Sequence, residues 1–185
     1  LTVLFWSTIA TAFKLSLKYM DNFQLLFYSS FFSCVALTVI LISTGKLKLL
    51  LMTNRKDVLL SALMGLLNPF LYYLVLLKAY SLLKAQEAGT LNYIWPIVLV
   101  LLSVPFLKQK IHWLSLIAIF ISFSGIIVIS TEGNISTLDF KEPFGVVLAI
   151  GSSIFWSLFW IFNLRDHRDE VVKLLLNFIF GTIYI

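Results

Sequence analysis

Of 185 residues, 60% are hydrophobic and 12% charged, against about 45–50% apolar and 25% charged in soluble domains. A soluble globular fold is excluded, because an aqueous core of this size cannot absorb so much apolar surface. The net charge of +5 comes from lysines and arginines gathered between apolar runs, a distribution that fits membrane topology and argues against a nucleic-acid-binding face.

Near-chargeless runs occupy 1–13, 23–43, 58–77, 88–107, 113–130, 144–164 and 171–185. Crossing about 30 Å of hydrocarbon takes roughly 20 helical residues, so the chain predicts seven spans, the last and the first shorter than the rest. None alternates apolar and polar residues with period two, which favours helices over barrel strands. The run at 1–13 is not read as a cleaved signal peptide, since no small-residue cleavage site follows and Lys14 and Lys18 lie downstream. Links after the second, fourth and sixth runs carry Lys46, Lys48, Arg55, Lys56, Lys108, Lys110, Arg165, Arg168 and Lys173. Those after the first, third and fifth carry Lys14, Lys18, Lys78, Lys84 and Lys141. The positive-inside bias therefore predicts a cytoplasmic start and an outer link at 131–143, which holds Gly133, Asn134 and Pro143.

Leu4-Phe5-Trp6-Ser7 recurs as Ile154-Phe155-Trp156-Ser157, so the sixth span reads as a second copy of the first. A five-helix repeat has an odd number of crossings, and its next copy enters the membrane from the opposite side, as in secondary transporters with inverted repeats. The expected division is a first repeat at 1–130, a link at 131–143 and the start of a second repeat at 144–185. Opening on Leu1 without Met and closing on Ile185 inside an apolar run, the chain is expected to be a fragment of a ten-helix protein.

The segment WSTIATAFK at 6–14, the stretch AYSLLKAQEAGTLNYIWPIVLVLLSVPFLKQKI at 79–111 and Ser-Gly-Ile-Ile-Val-Ile at 124–129 resemble the EamA-type members of the drug/metabolite transporter superfamily. The resemblance covers essentially the whole chain. It implies an all-α membrane bundle of ten helices in two inverted five-helix repeats, with both termini cytoplasmic. LNYIWP at 91–96 looks most like the bacterial aromatic amino-acid exporters, and that implies a bacterial inner-membrane location and export of aromatic amino acids. Ser7 stands where the family usually has Gly, and Gln109 where an acidic residue is frequent.

Within the spans, residues that need a reason to be in hydrocarbon are the site candidates. Pro69 and Pro96 each remove a backbone donor mid-span, which predicts two helix kinks, with Asn68 and Asn92 beside the freed carbonyls of Gly65 and Asn92. Trp6, Tyr72, Tyr73, Tyr93, Trp95, Trp156 and Trp160, together with Phe13, offer rings on which a planar apolar solute could stack. Trp and Tyr also anchor helices at membrane interfaces, and Trp113 beside His112 reads as such an anchor. Lys14 is a candidate partner for an anionic group, Glu87 a candidate for proton coupling, and Lys84 and Glu87 are spaced to pair on a helix.

Cys34 stands alone and excludes a disulfide framework, while His112 and His167 lack metal-ligand company. Asn134-Ile135-Ser136 is a glycosylation sequon that matters only in a eukaryotic secretory pathway. No clustered nucleophile, base or metal set points to an enzyme. The expectation is a transporter, most simply an exporter, working by alternating access without a cofactor. Its expected partners are a small-molecule substrate, the lipid bilayer and a second copy of the chain in a homodimer. A carrier of the same fold for a drug, sugar or nucleotide precursor, and a structural or receptor-like membrane protein, are the alternatives.

Overall fold

A computed structural model describes residues 2–130, 133 and 142–185, without the side chains of 2–5, 126, 127, 129 and 130. The sequon at Asn134 and most of the link 131–143 lie outside the described residues. Among those described, the chain is helical and carries no strand. The helices are α1 (Thr2–Ser16), α2 (Asn22–Ser43), the short α3 (Leu47–Leu51), α4 (Arg55–Gly65), α5 (Tyr72–Leu82), α6 (Ala85–Asn92), α7 (Trp95–Leu107), α8 (Trp113–Ser130), α9 (Pro143–Asn163) and α10 (Glu170–Tyr184). A π-helical segment, Leu66–Leu71, joins α4 to α5. Among the described residues, four units are long and apolar enough to cross a membrane: Asn22–Ser43, Arg55–Leu82, Ala85–Leu107 and Pro143–Asn163.

Helix boundaries follow local chemistry. Asp21 accepts from the Gln24 N–H at 2.8 Å and Gln24 Oε1 accepts from the Asp21 N–H at 3.1 Å, a capping box that starts α2. Gly45, at φ 68°, turns the chain out of α2 while the Lys46 N–H reaches back to the Leu41 carbonyl at 3.0 Å. Asn54 caps α4 by accepting from the Asp57 N–H at 2.9 Å.

Two spans are interrupted more deeply than a proline kink requires. Asn68 leaves the helix altogether, at φ −149° and ψ 119°, because the ring of Pro69 disfavours a helical preceding residue. The second interruption corrects the expected kink at Pro96. Tyr93 and Ile94 separate α6 from α7, and Pro96 falls in the first turn of α7, where its missing N–H has no helical partner to lose. The span is two helices joined by a hydrogen-bonded turn, in which the Tyr93 N–H reaches the Gly89 carbonyl at 3.1 Å and the Ile94 N–H the Leu91 carbonyl at 3.2 Å.

Side-chain bonds gather the loops at two ends. Lys46 pairs with Asp169 at 2.6 Å, Arg168 donates to the Asp57 carbonyl at 3.0 Å and to Ser61 Oγ at 2.9 Å, and Arg165 donates to the Phe106 carbonyl. The loops after α2, α7 and α9 therefore share one end. At the other, Lys14 reaches the Leu83 carbonyl at 2.6 Å, and Leu83 packs against Gly145 at the start of α9.

In lipid the helices gain little by burying apolar surface against each other, so close contact between small residues takes over. On α9, Gly145, Ala149, Ser153 and Ser157 recur every fourth position and are all buried, and this stripe faces α5 and α7. On α10, Asn177 and Gly181 approach Gly65 and Pro69 in the same way. A Cβ on Gly65 would strike the Asn177 carbonyl oxygen, and one on Gly181 would lie 2.6 Å from Pro69 Cδ. The outward face of α2 presents Phe23, Phe27, Phe31 and Phe32, all exposed, as an apolar solvent permits.

Candidate functional site

The interrupted spans border a cavity of about 280 Å³ walled by α1, α5, α6, α7 and α9. Trp6, Tyr72, Asn92, Tyr93, Trp95 and Trp156 all line it, together with Phe13, Tyr73, Tyr80 and Gly89. Six of the expected substrate-binding residues thus converge from five helices. The two tryptophans of the repeated motif, Trp6 and Trp156, face the same space. None of the described lining residues is charged.

Trp156 is the hub of the aromatic wall. Its ring lies 4.7 Å from Tyr72 at 31° and 6.4 Å from Trp95 at 79°, distances at which offset and edge-on ring contacts are favourable. Phe13 meets Tyr80 edge-on at 5.5 Å and Tyr73 at 6.0 Å. Gly89 keeps α6 close, since a Cβ there would lie 3.2 Å from the Tyr80 hydroxyl.

The polar part of the wall is a short relay. Tyr72 Oη donates to Asn92 Oδ1 at 3.1 Å, Asn92 Nδ2 donates to Ser152 Oγ at 2.9 Å, and Ser152 Oγ donates to the Ala149 carbonyl at 2.7 Å. It ties α5, the end of α6 and α9 together beside the turn between α6 and α7. Ser157 Oγ donates to the Trp95 carbonyl at 3.0 Å and steadies the start of α7. Every acceptor in this relay is matched by a donor, so the wall offers a solute one neutral, ordered polar patch among rings.

The other expected site residues lie elsewhere. Trp160 touches Trp156 at 5.9 Å but does not line the cavity. Asn68 is buried outside it, and Pro69 lines a second, smaller cavity. Lys14 directs its ammonium at the Tyr80 and Leu83 carbonyls, at 2.7 and 2.6 Å, where a cation complements the exposed carbonyls and negative dipole end of α5. Glu87 Oε2 accepts from the Lys84 backbone N–H at 3.1 Å, the reach-back contact of a helix start. Pro96, in the first turn of α7, is exposed.

Ser152, Ser157, Tyr80 and Gly89 belong to the site and were not singled out from sequence. The fourfold spacing of small residues along α9 was the available signal for Ser157, while Ser152 lies off that stripe. Near-sequence pairing of Gly89 with a tyrosine offered none.

A chain of apolar helices, interrupted mid-span and gathered around a partly open, uncharged aromatic cavity, defines a multi-pass integral membrane protein with a solute-sized recess. The EamA-like transporter family matches residues 1–131, and the chain belongs to that family. It is 31% identical over 86 residues to an uncharacterized transporter in the sor 3′ region of Acidianus ambivalens, covering 45% of this chain and 32% of that protein. It is 23% identical over 163 residues to an uncharacterized transporter of Archaeoglobus fulgidus, covering 88% of this chain and 55% of that protein. The chain therefore spans about a third and about half of the length of these curated relatives. No solved structure matches it.

Proposed function

We propose that the protein is a secondary carrier that exports small organic solutes with an aromatic body, aromatic amino acids first among them, by alternating access. The observation that carries this reading is the convergence of Trp6, Tyr72, Trp95 and Trp156 on one cavity of about 280 Å³ with a hydrogen-bonded Asn92 in its wall. Rings favour a planar apolar body by stacking, and the Asn92 patch fixes its orientation. The interruption between α6 and α7, at Asn92, Tyr93 and Trp95 in the wall, supplies the irregular backbone on which transporters of this general kind build their sites.

The family match ending at 131 supports a first repeat at 1–130, and the Trp156 copy of the Trp6 motif supports a second that starts at 144–185 and completes a ten-helix carrier. The gathering of the basic loops after α2, α7 and α9 at one end supports a cytoplasmic placement of that end. A second reading, export of an uncharged aromatic solute, is favoured by the lack of any charged group among the described lining residues, since a zwitterion would gain more from a charged partner.

Efflux of labelled phenylalanine and of an uncharged aromatic solute from preloaded cells tests both readings, with wild type compared against Trp95→Ala at equal abundance. Loss of efflux in the variant supports the carrier reading, and the solute affected chooses between the two. Equal efflux by wild type, variant and empty cells rejects it.

A further inference from the structure

Behind the aromatic cavity lies a second space of about 110 Å³, and Phe13 and Tyr73, whose rings touch edge-on at 6.0 Å, line both. They form the partition. On its far side the small cavity meets Ser29, Ser30 and Ser33 of α2, Pro69 of the broken segment and Phe178 of α10. Its volume would hold about three to four water molecules at roughly 30 Å³ each.

Three buried oxygens at this junction lack a hydrogen-bond partner among the described residues. They are Ser30 Oγ, Asn68 Oδ1 and Asn177 Oδ1, in side chains 1%, 5% and 1% exposed. Ser30 lines the cavity itself, and each asparagine directly precedes a residue that does. An orphaned polar group typically costs about 1–3 kcal/mol, so three of them on the elements that surround one cavity call for partners there.

Their chemistry limits what that partner is. The two amide oxygens only accept, so the partner brings donors or positive charge. The described lining carries no carboxylate, which disfavours a divalent ion, whose protein sites usually recruit carboxylates. Neutral hard oxygens on an interrupted helix suit a small monovalent cation.

We propose that the junction of α2, the Asn68–Pro69 break and α10 is a binding site for a small monovalent cation, Na⁺ in the first instance, with Ser30, Asn68 and Asn177 supplying oxygens. Through the Phe13–Tyr73 partition the site is mechanically adjacent to the solute cavity.

The test is thermal unfolding of the purified protein in detergent, with NaCl, KCl or choline chloride exchanged at constant ionic strength. Na⁺ is expected to raise the wild-type Tm saturably, by about 2–5 °C over choline. Ser30→Ala, a small change that preserves packing, or Asn177→Leu is expected to weaken the half-saturating concentration at least about tenfold. A wild-type Tm identical in all three salts overturns the proposal and leaves a cavity that holds water. A Na⁺ increment retained in full by both variants overturns it as well. The readout needs no transported solute, so its failure leaves the carrier reading untouched.

Discussion

Asn92→Ala removes two interhelical hydrogen bonds at once, from Tyr72 at 3.1 Å and to Ser152 at 2.9 Å. Ser152 keeps the Ala149 carbonyl as its acceptor, whereas the buried Tyr72 hydroxyl loses its own. Interhelical hydrogen bonds in membranes average about 0.6 kcal/mol, so the substitution should cost about 1 kcal/mol, with a coupling of about 0.6 kcal/mol to each partner. The assay is a pair of double-mutant cycles, Asn92→Ala with Ser152→Ala and Asn92→Ala with Tyr72→Phe, each followed by reversible unfolding in mixed micelles. Coupling should be positive in both. Additivity within about 0.3 kcal/mol in both cycles would refute the relay and with it the ordered polar patch in the cavity wall.

Gly181→Ala should destabilise by about 1–3 kcal/mol, because its Cβ would meet the rigid Pro69 ring at 2.6 Å. Gly151→Ala, with nothing within 4 Å of the added carbon, should instead stabilise α9 by up to about 1 kcal/mol, and thermal unfolding of the two variants checks the opposite signs. At the loop end of α9, burial opposes ionisation of Asp166, but the Arg168 bonds outweigh it and hold the carboxyl below the usual aspartate range. The Lys46 ammonium does the same for Asp169. Both folded values are depressed, so this stabilisation is present above about pH 4 and is lost as pH falls further. Tm should drop between pH 5 and pH 3, and Asp166→Asn should lower Tm at pH 7 and flatten the acid limb of the curve.

The spans at 23–43 and 144–164 were legible because a long apolar run in water has no other use, and α2 and α9 occupy them within a residue or so. Both prolines announced irregular backbone, yet sequence could not separate a kink from a break. Pro69 forces its neighbour Asn68 out of the helix, while Pro96 begins a new one, and the difference rests on where the preceding turn ends. The cavity rings could be named because large aromatic side chains are distinctive. Ser152 could not, since a serine inside an apolar helix has no local mark until Asn92 is packed against it. Lys14 and Glu87 read as chemistry in one dimension, while in three they complete the end of α5 and the start of α6.

The central claim is that the aromatic cavity binds the transported solute. Scintillation-proximity binding of labelled phenylalanine and of an uncharged aromatic solute to the purified protein, wild type against Trp156→Ala, tests it most directly. Saturable binding of at least one solute, weakened about tenfold or more when the hub ring is removed, is the expected result. Binding of equal strength by both proteins would contradict the account, as would no binding of either solute by the wild type.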